Sequence, residues 1–132
     1  TIIIDSQTKS ITINFGQLNV CNEIAIVVKF HNMNRIPILI FSNIDPPNPT
    51  RERATVWASF DGGKTWPVKR LVFEGASAYS SLTAGRPKTA SEGWVYLHFE
   101  GGLNGGSQVA RFNLSWLREG VLTGDGELPR NL

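Results

Sequence analysis

Ser59-Phe60-Asp61-Gly62-Gly63-Lys64-Thr65-Trp66 holds an acid, a glycine pair and an indole at the spacing of a tight turn between two strands. An aspartate carboxylate accepts hydrogen bonds from the backbone of its own turn, and glycine takes positive φ without steric cost. Trp66 is placed to pack across the resulting hairpin. An ordinary Asp-Gly β-turn would need neither Ser59 nor Trp66, so the flanking residues make this a more specific signal than the dipeptide alone. Each of these roles builds structure, and none is catalytic.

Outward from the turn, alternation and β-branched runs predict strands at 54–59 and 67–73, and before them at 10–15, 23–30 and 37–43. Further strands are predicted at 78–84, 94–100 and 108–113. Turn-rich segments such as Asp45-Pro46-Pro47-Asn48-Pro49, Gly85-Arg86-Pro87 and Gly101-Gly102-Leu103-Asn104-Gly105-Gly106 separate them. No stretch has the periodicity of a long amphipathic helix, so the predicted class is all-β. The tail after Glu119, with Gly120, Gly124, Gly126 and Pro129, reads as loop or terminus.

The length of 132 residues allows one domain at most. A hydrophobic content of 41% and a mean hydropathy of −0.12 are those of a soluble globular chain. The longest apolar runs, near Ile24 to Val28 and Ile36 to Phe41, are too short to span a bilayer. The formal charge of +2 is spread along the chain, which gives no indication of a nucleic-acid partner but permits a site for a small anion. The lone Cys21 excludes an internal disulfide and a multi-cysteine metal site, and reads as a small buried apolar residue. His31 and His98 lack acidic or cysteine partners at ligand spacing, so no metal is expected. The sequence begins at Thr1 with no methionine and no basic-then-apolar leader, so any targeting segment is expected to have been removed or never included, and the compartment stays open.

The Ser59-to-Trp66 pattern resembles the Asp box of sialidase-type β-propellers, in which such turns join the strands of each blade. The resemblance to the sialidase (exo-α-neuraminidase) family runs roughly from Cys21 to Leu117 and is strongest from Arg51 to Glu100. It implies about two four-stranded antiparallel blades of a six-bladed propeller. Residues 21–75 would form a blade with the Asp box (Ser59, Asp61, Gly63, Trp66), and residues 76–117 most of the next. Residues 1–20 match poorly, and 118–132 would be a tail. The remainder of the propeller would come from elsewhere, or copies of the chain would close a ring.

The site residues follow from the same resemblance. Arg51-Glu52-Arg53-Ala54-Thr55-Val56 resembles the strand that bears the third arginine of the family's triad, and Arg51 precedes Tyr79 by 28 positions (51 to 79). Arg51 would bind the sialate carboxylate, with Arg53, on the same strand face two residues on, as the alternative. Ala78-Tyr79-Ser80-Ser81 resembles the context of the nucleophilic tyrosine, against the plainer reading of Tyr79 as an ordinary strand residue. Glu100, at the end of Gly93-Trp94-Val95-Tyr96-Leu97-His98-Phe99-Glu100, would orient another arginine of the triad or merely close the strand. Arg35-Ile36-Pro37 matches the family's Arg-Ile-Pro motif in only three residues and lies 16 positions before Arg51 (35 to 51), so Arg35 is not expected to be a ligand.

A tyrosine nucleophile suits this substrate class because a sialoside carries a carboxylate on its anomeric carbon, which would repel a carboxylate nucleophile. A phenol approaches neutral, but ordinary phenols lose their proton only near pH 10, so base and cationic surroundings are required. The implied activity is therefore retaining hydrolysis of terminal α-linked sialic acid from glycoconjugates, with no cofactor and a sialylated glycan as substrate. This chain would hold only part of that site, lacking the first two arginines, the acid/base aspartate and the glutamate that activates tyrosine. The alternative is a non-catalytic Asp-box propeller that binds glycans or other partners.

Overall fold

In the computed structural model, the structure describes the backbone of 2–5, 10–13 and 25–31, and residues 36–102 and 104–130 in full. Cys21 and Arg35 lie outside the described residues. Strands β1 (Ile2–Asp5) and β2 (Ser10–Ile13) form a separate antiparallel pair. The main array is β3 (Ala25–His31), β4 (Pro37–Ile44), β5 (Glu52–Ser59), β6 (Val68–Ala84), β7 (Trp94–Gly101) and β8 (Ser107–Asn113), each antiparallel to its neighbour in that order. The fold is all-β, with one short helix, α1 (Leu114–Arg118), and a two-residue strand, β9 (Val121–Leu122). Among the described residues, no helix is long and apolar enough to cross a membrane.

The predicted separation of 67–73 from 78–84 does not occur, because β6 runs unbroken for 17 residues. Its first half pairs with β5, from Ala58↔Val68 to Glu52↔Ala76, and its second half pairs with β7 from Ser77↔Gly101 onward. A single strand thus passes from one group of strands, β3 to β6, to another, β6 to β8. Gly75, which interrupts the apolar pattern, does not turn the chain: a Cβ there would stand 2.9 Å from the Phe73 ring. A strand glycine of this kind marks a close approach. The Phe73 ring meets that of Phe99 at 5.5 Å, tying the two halves together.

Alternation on β7 turns Val95, Leu97 and Phe99 inward and leaves His98 and Glu100 exposed. Those three pack with Leu82, Phe112 and Leu117 against Ile38, Ile40, Val56, Ala58 and Val68, so the two strand groups bury their facing sides in one core. On β4 both faces are buried, which is why Ile38-Leu39-Ile40-Phe41 reads as a continuous apolar run. Leu97 is 0% exposed. Leu97→Ala is expected to destabilise the chain by about 2–5 kcal/mol, through lost transfer energy plus the cavity left behind. Chemical denaturation, with the midpoint lowered at an unchanged slope, is the check.

The tail after Glu119 is mostly loop, as its glycines predict, but it is tied back to the start of β6. Asn113 Oδ1 accepts a 2.8 Å hydrogen bond from Trp116 N and caps α1, as an N-cap asparagine does. After the helix, β9 pairs with the start of β6 through Val68↔Leu122 and Lys69↔Val121. Thr123 N then donates to Pro67 O at 3.0 Å, and Trp66 N to Asp125 Oδ2 at 2.9 Å, so the tail folds back onto the Asp61 turn.

Candidate functional site

The Asp61 turn joins β5 to β6 and satisfies its own polar groups. Asp61 Oδ1 accepts from Ser59 Oγ at 2.8 Å, Lys64 N at 2.9 Å and Thr65 N at 3.0 Å, while Oδ2 accepts from Thr65 Oγ1 at 2.7 Å. Ser59 Oγ in turn accepts from Gly63 N at 2.7 Å, and Gly62 and Gly63 have φ of 75° and 91°. The Trp66 ring meets Phe41 edge-on at 6.0 Å, so it reaches the neighbouring strand β4 and not a residue of its own β5–β6 hairpin.

Burial works to raise the Asp61 pKa, but the hydrogen bonds from Thr65, Ser59 and Lys64 outweigh it and hold the carboxyl below its usual 3.8. A depressed carboxylate contributes stability above its unfolded pKa and loses it as pH falls through the folded one. Asp61→Asn is therefore expected to cost about 1 kcal/mol at neutral pH. The gap from wild type should close only as pH drops below 3.8, the ordinary value. Thermal melts of both proteins from neutral to strongly acidic pH would measure it.

Arg51 lies at the opposite end of β5, about 25 Å from Ser59 at roughly 3.3 Å per residue. The Asp61 turn therefore shapes the hairpin and stands apart from the group that Arg51 joins. The Arg51 guanidinium carbon sits 5.1 Å from the centroid of the Tyr79 ring, a cation–π geometry. Tyr79 is 43% exposed and lies in the register shift of β6 between Ser77 and Ser80. Ser80 turns away, its Oγ 2.9 Å from Ser42 Oγ.

Arg51 and Glu100 border one open depression of about 610 Å³, whose wall also includes Ser77, Gly101, Gly105 and Ser107. Its backbone is closely tied. Ser77 N donates to Arg51 O at 2.9 Å, Gly102 N to Ala76 O at 3.3 Å, and Gly101 N to Gly106 O at 2.9 Å. The bottom of β6 is thereby clamped between the start of β5 and the end of β7. The Ser77 hydroxyl is buried with no hydrogen-bond partner among the described residues.

Arg53 does not share the placement of Arg51. A bulge at Glu52/Ala54 breaks the alternation that would put both on one face, and Arg53 adopts φ 65°. Its guanidinium is ion-paired to Glu74. The structure thus sets Arg51 against the Tyr79 ring and beside Glu100 at the depression, which Tyr79 itself does not line, and directs Arg53 to a different partner. Ser107 had gone unnoticed in the sequence, and His98 was read only as lacking metal-ligand partners. Ser107 borders the depression, and His98 Nε2 lies 2.5 Å from Ser107 Oγ. Among the described residues, no group of three or more His, Cys, Asp or Glu could hold a metal ion.

No family model matches the chain. A sialidase of Micromonospora viridifaciens is 37% identical to it over 83 residues. The chain is related to a sialidase over part of its length. The match takes in 63% of this chain and 12% of that sialidase, so the chain spans only a small fraction of the relative.

Proposed function

We propose that the chain is part of the propeller of an exo-α-sialidase, which removes terminal α-linked sialic acid with retention. In this reading β3 to the first half of β6 are one blade, and the second half of β6 with β7 and β8 are most of the next. Tyr79 is the nucleophile, Arg51 binds the sialate carboxylate, and Glu100 orients a further arginine. The observation that carries the reading is the Arg51 guanidinium over the Tyr79 ring, with Arg51 and Glu100 bordering one depression. The partial kinship with a sialidase supports it.

The chemistry is consistent with that assignment. The planar fork of the Arg51 guanidinium suits a carboxylate, and its place over the Tyr79 ring would set that carboxylate near the attacking phenol. The attacking oxygen would form a bond to that carbon as the glycosidic bond breaks, and water would later release the sugar with its original configuration. The proton of Tyr79 would pass to a base that lies elsewhere in the complete site. The test is release of the reporter from a fluorogenic α-sialoside by the chain and by the longest natural form of the protein. Hydrolysis by the longer form supports a sialidase, and hydrolysis by neither shifts the reading to a non-catalytic propeller.

A further inference from the structure

His98 and Ser107 form a pair at the edge of the depression that the proposed reaction leaves unused. Ser107 stands opposite Glu100 in the β7–β8 register, and His98 precedes Glu100 by two residues on the same exposed face of β7. Both members of the pair are exposed, so their hydrogen bond is open to solvent and to a ligand. At 2.5 Å between His98 Nε2 and Ser107 Oγ the contact is short for a neutral pair, and one of the two must donate.

The direction of that bond decides what the depression presents. When the imidazole is neutral and Nε2 accepts, the Ser107 proton is committed to His98, and Oγ offers only lone pairs toward the depression. When the imidazole is protonated, Nε2–H donates to Oγ, and the Ser107 proton is free to point at a ligand. A hydroxyl that donates to a carboxylate, backed by an imidazolium, is a charge-assisted site of the kind that anions prefer. We propose that Ser107, oriented by His98, is a further ligand-binding residue of this depression and selects carboxylate-bearing ligands when His98 is protonated. The proposal rests on the reading of the depression as the site of the acidic sugar.

The other groups facing His98 leave this control to the pair. On β7 the flanking residues of its face are Tyr96 and Glu100; on β8 Val109 lies opposite and Arg111 stands opposite Tyr96. On β6 Ser81 lies opposite His98, with Tyr79 two residues before it. The Arg111 guanidinium is 4.3 Å from the Trp94 ring, which holds it two rungs away. Among the described residues, Glu100 is therefore the carboxylate on that face near the pair whose protonation would also favour an anion at lower pH, and the variants separate the two causes.

Binding of N-acetylneuraminate to the longest natural form of the protein would be measured by calorimetry at about pH 5 and about pH 7.5, either side of the ordinary histidine range. Wild type is expected to bind at least about fivefold more tightly at the lower pH. Ser107→Ala and His98→Phe should each abolish that gain while still binding at the higher pH, and Arg51→Ala should weaken binding at both. A gain that survives in both pair variants belongs to Glu100 and overturns the proposal. Arg51-dependent binding with no pH dependence also overturns it, but leaves the proposed function standing. Absence of binding, or binding indifferent to Arg51→Ala, overturns both.

Discussion

Tyr79→Phe in the longest natural form of the protein is expected to lower sialoside hydrolysis by about 10²- to 10⁴-fold with little change in KM. The ring and its contact with the Arg51 guanidinium, 5.1 Å from its centroid, survive the change, so the carboxylate ligand keeps its place. What is lost is the oxygen that forms the covalent intermediate. The stereochemical readout is sharper than the rate. Two successive displacements retain the anomeric configuration, whereas direct attack by water on the bound sugar inverts it. NMR of the first-formed product should therefore show the α-anomer from wild type and the β-anomer in the residual turnover of the variant. Retention by the variant at an undiminished rate would remove Tyr79 from the mechanism.

The same variant should leave stability nearly untouched, because Tyr79 lies on the exposed face and contributes nothing to the core around Val95, Leu97 and Phe99. A rate loss without a shift in melting temperature separates a chemical role from a structural one. Arg51 is separable in the same way. Its backbone carbonyl accepts from Ser77 N, and a side-chain substitution leaves that bond in place.

Local patterns were legible in the sequence wherever the cause lay within a few residues. The Asp61 carboxylate draws its hydrogen bonds from Ser59, Lys64 and Thr65, all within four residues, and closes the turn between β5 and β6. The alternation of β7 likewise survives intact because one side of that strand is buried and the other is not. Features set by distant partners were not legible. The continuity of β6 through 74–77 was one, and Gly75 within it sits where the Phe73 ring lies close over it. The return of the tail loop to the Asp61 turn was hidden because Thr123 and Asp125 find their partners at Pro67 and Trp66, far back along the chain. Alternation put Arg53 beside Arg51, and only the bulge with its ion pair to Glu74 separates them. The His98–Ser107 bond crosses the β7–β8 turn, so nothing at either position announced it. The placement of Arg51 with Tyr79 and Glu100 came from family resemblance; spacing alone would not have joined residues from β6, β7 and the approach to β5.

Gly101→Ala should be the most damaging single-methyl change near the depression. Gly101 has φ 148°, which side chains rarely adopt, and a Cβ there would stand 2.1 Å from Ala76 O and 3.1 Å from Ser77 Cα. The atoms it meets are backbone, so no rotamer change relieves the clash, and β6 must move away from β7 where the strand passes between its two partners. The expected destabilisation is about 2–4 kcal/mol, combining backbone strain with overpacking. Gly105→Ala is the control. Its φ of 74° is also positive, but a Cβ would meet nothing within 4 Å, so a loss of only about 1 kcal/mol is expected from the backbone alone. Activity should diverge further than stability. Opening the contact at Ala76 displaces Glu100, the neighbour of Gly101, relative to Arg51, whose backbone is bonded to Ser77. A displacement of about 1 Å in a positioned group can cost 10²-fold in rate. Denaturant melts paired with sialoside kinetics on both glycine variants would measure the two effects, and equal behaviour of the variants would show that the close approach of β6 and β7 does not hold the depression in shape.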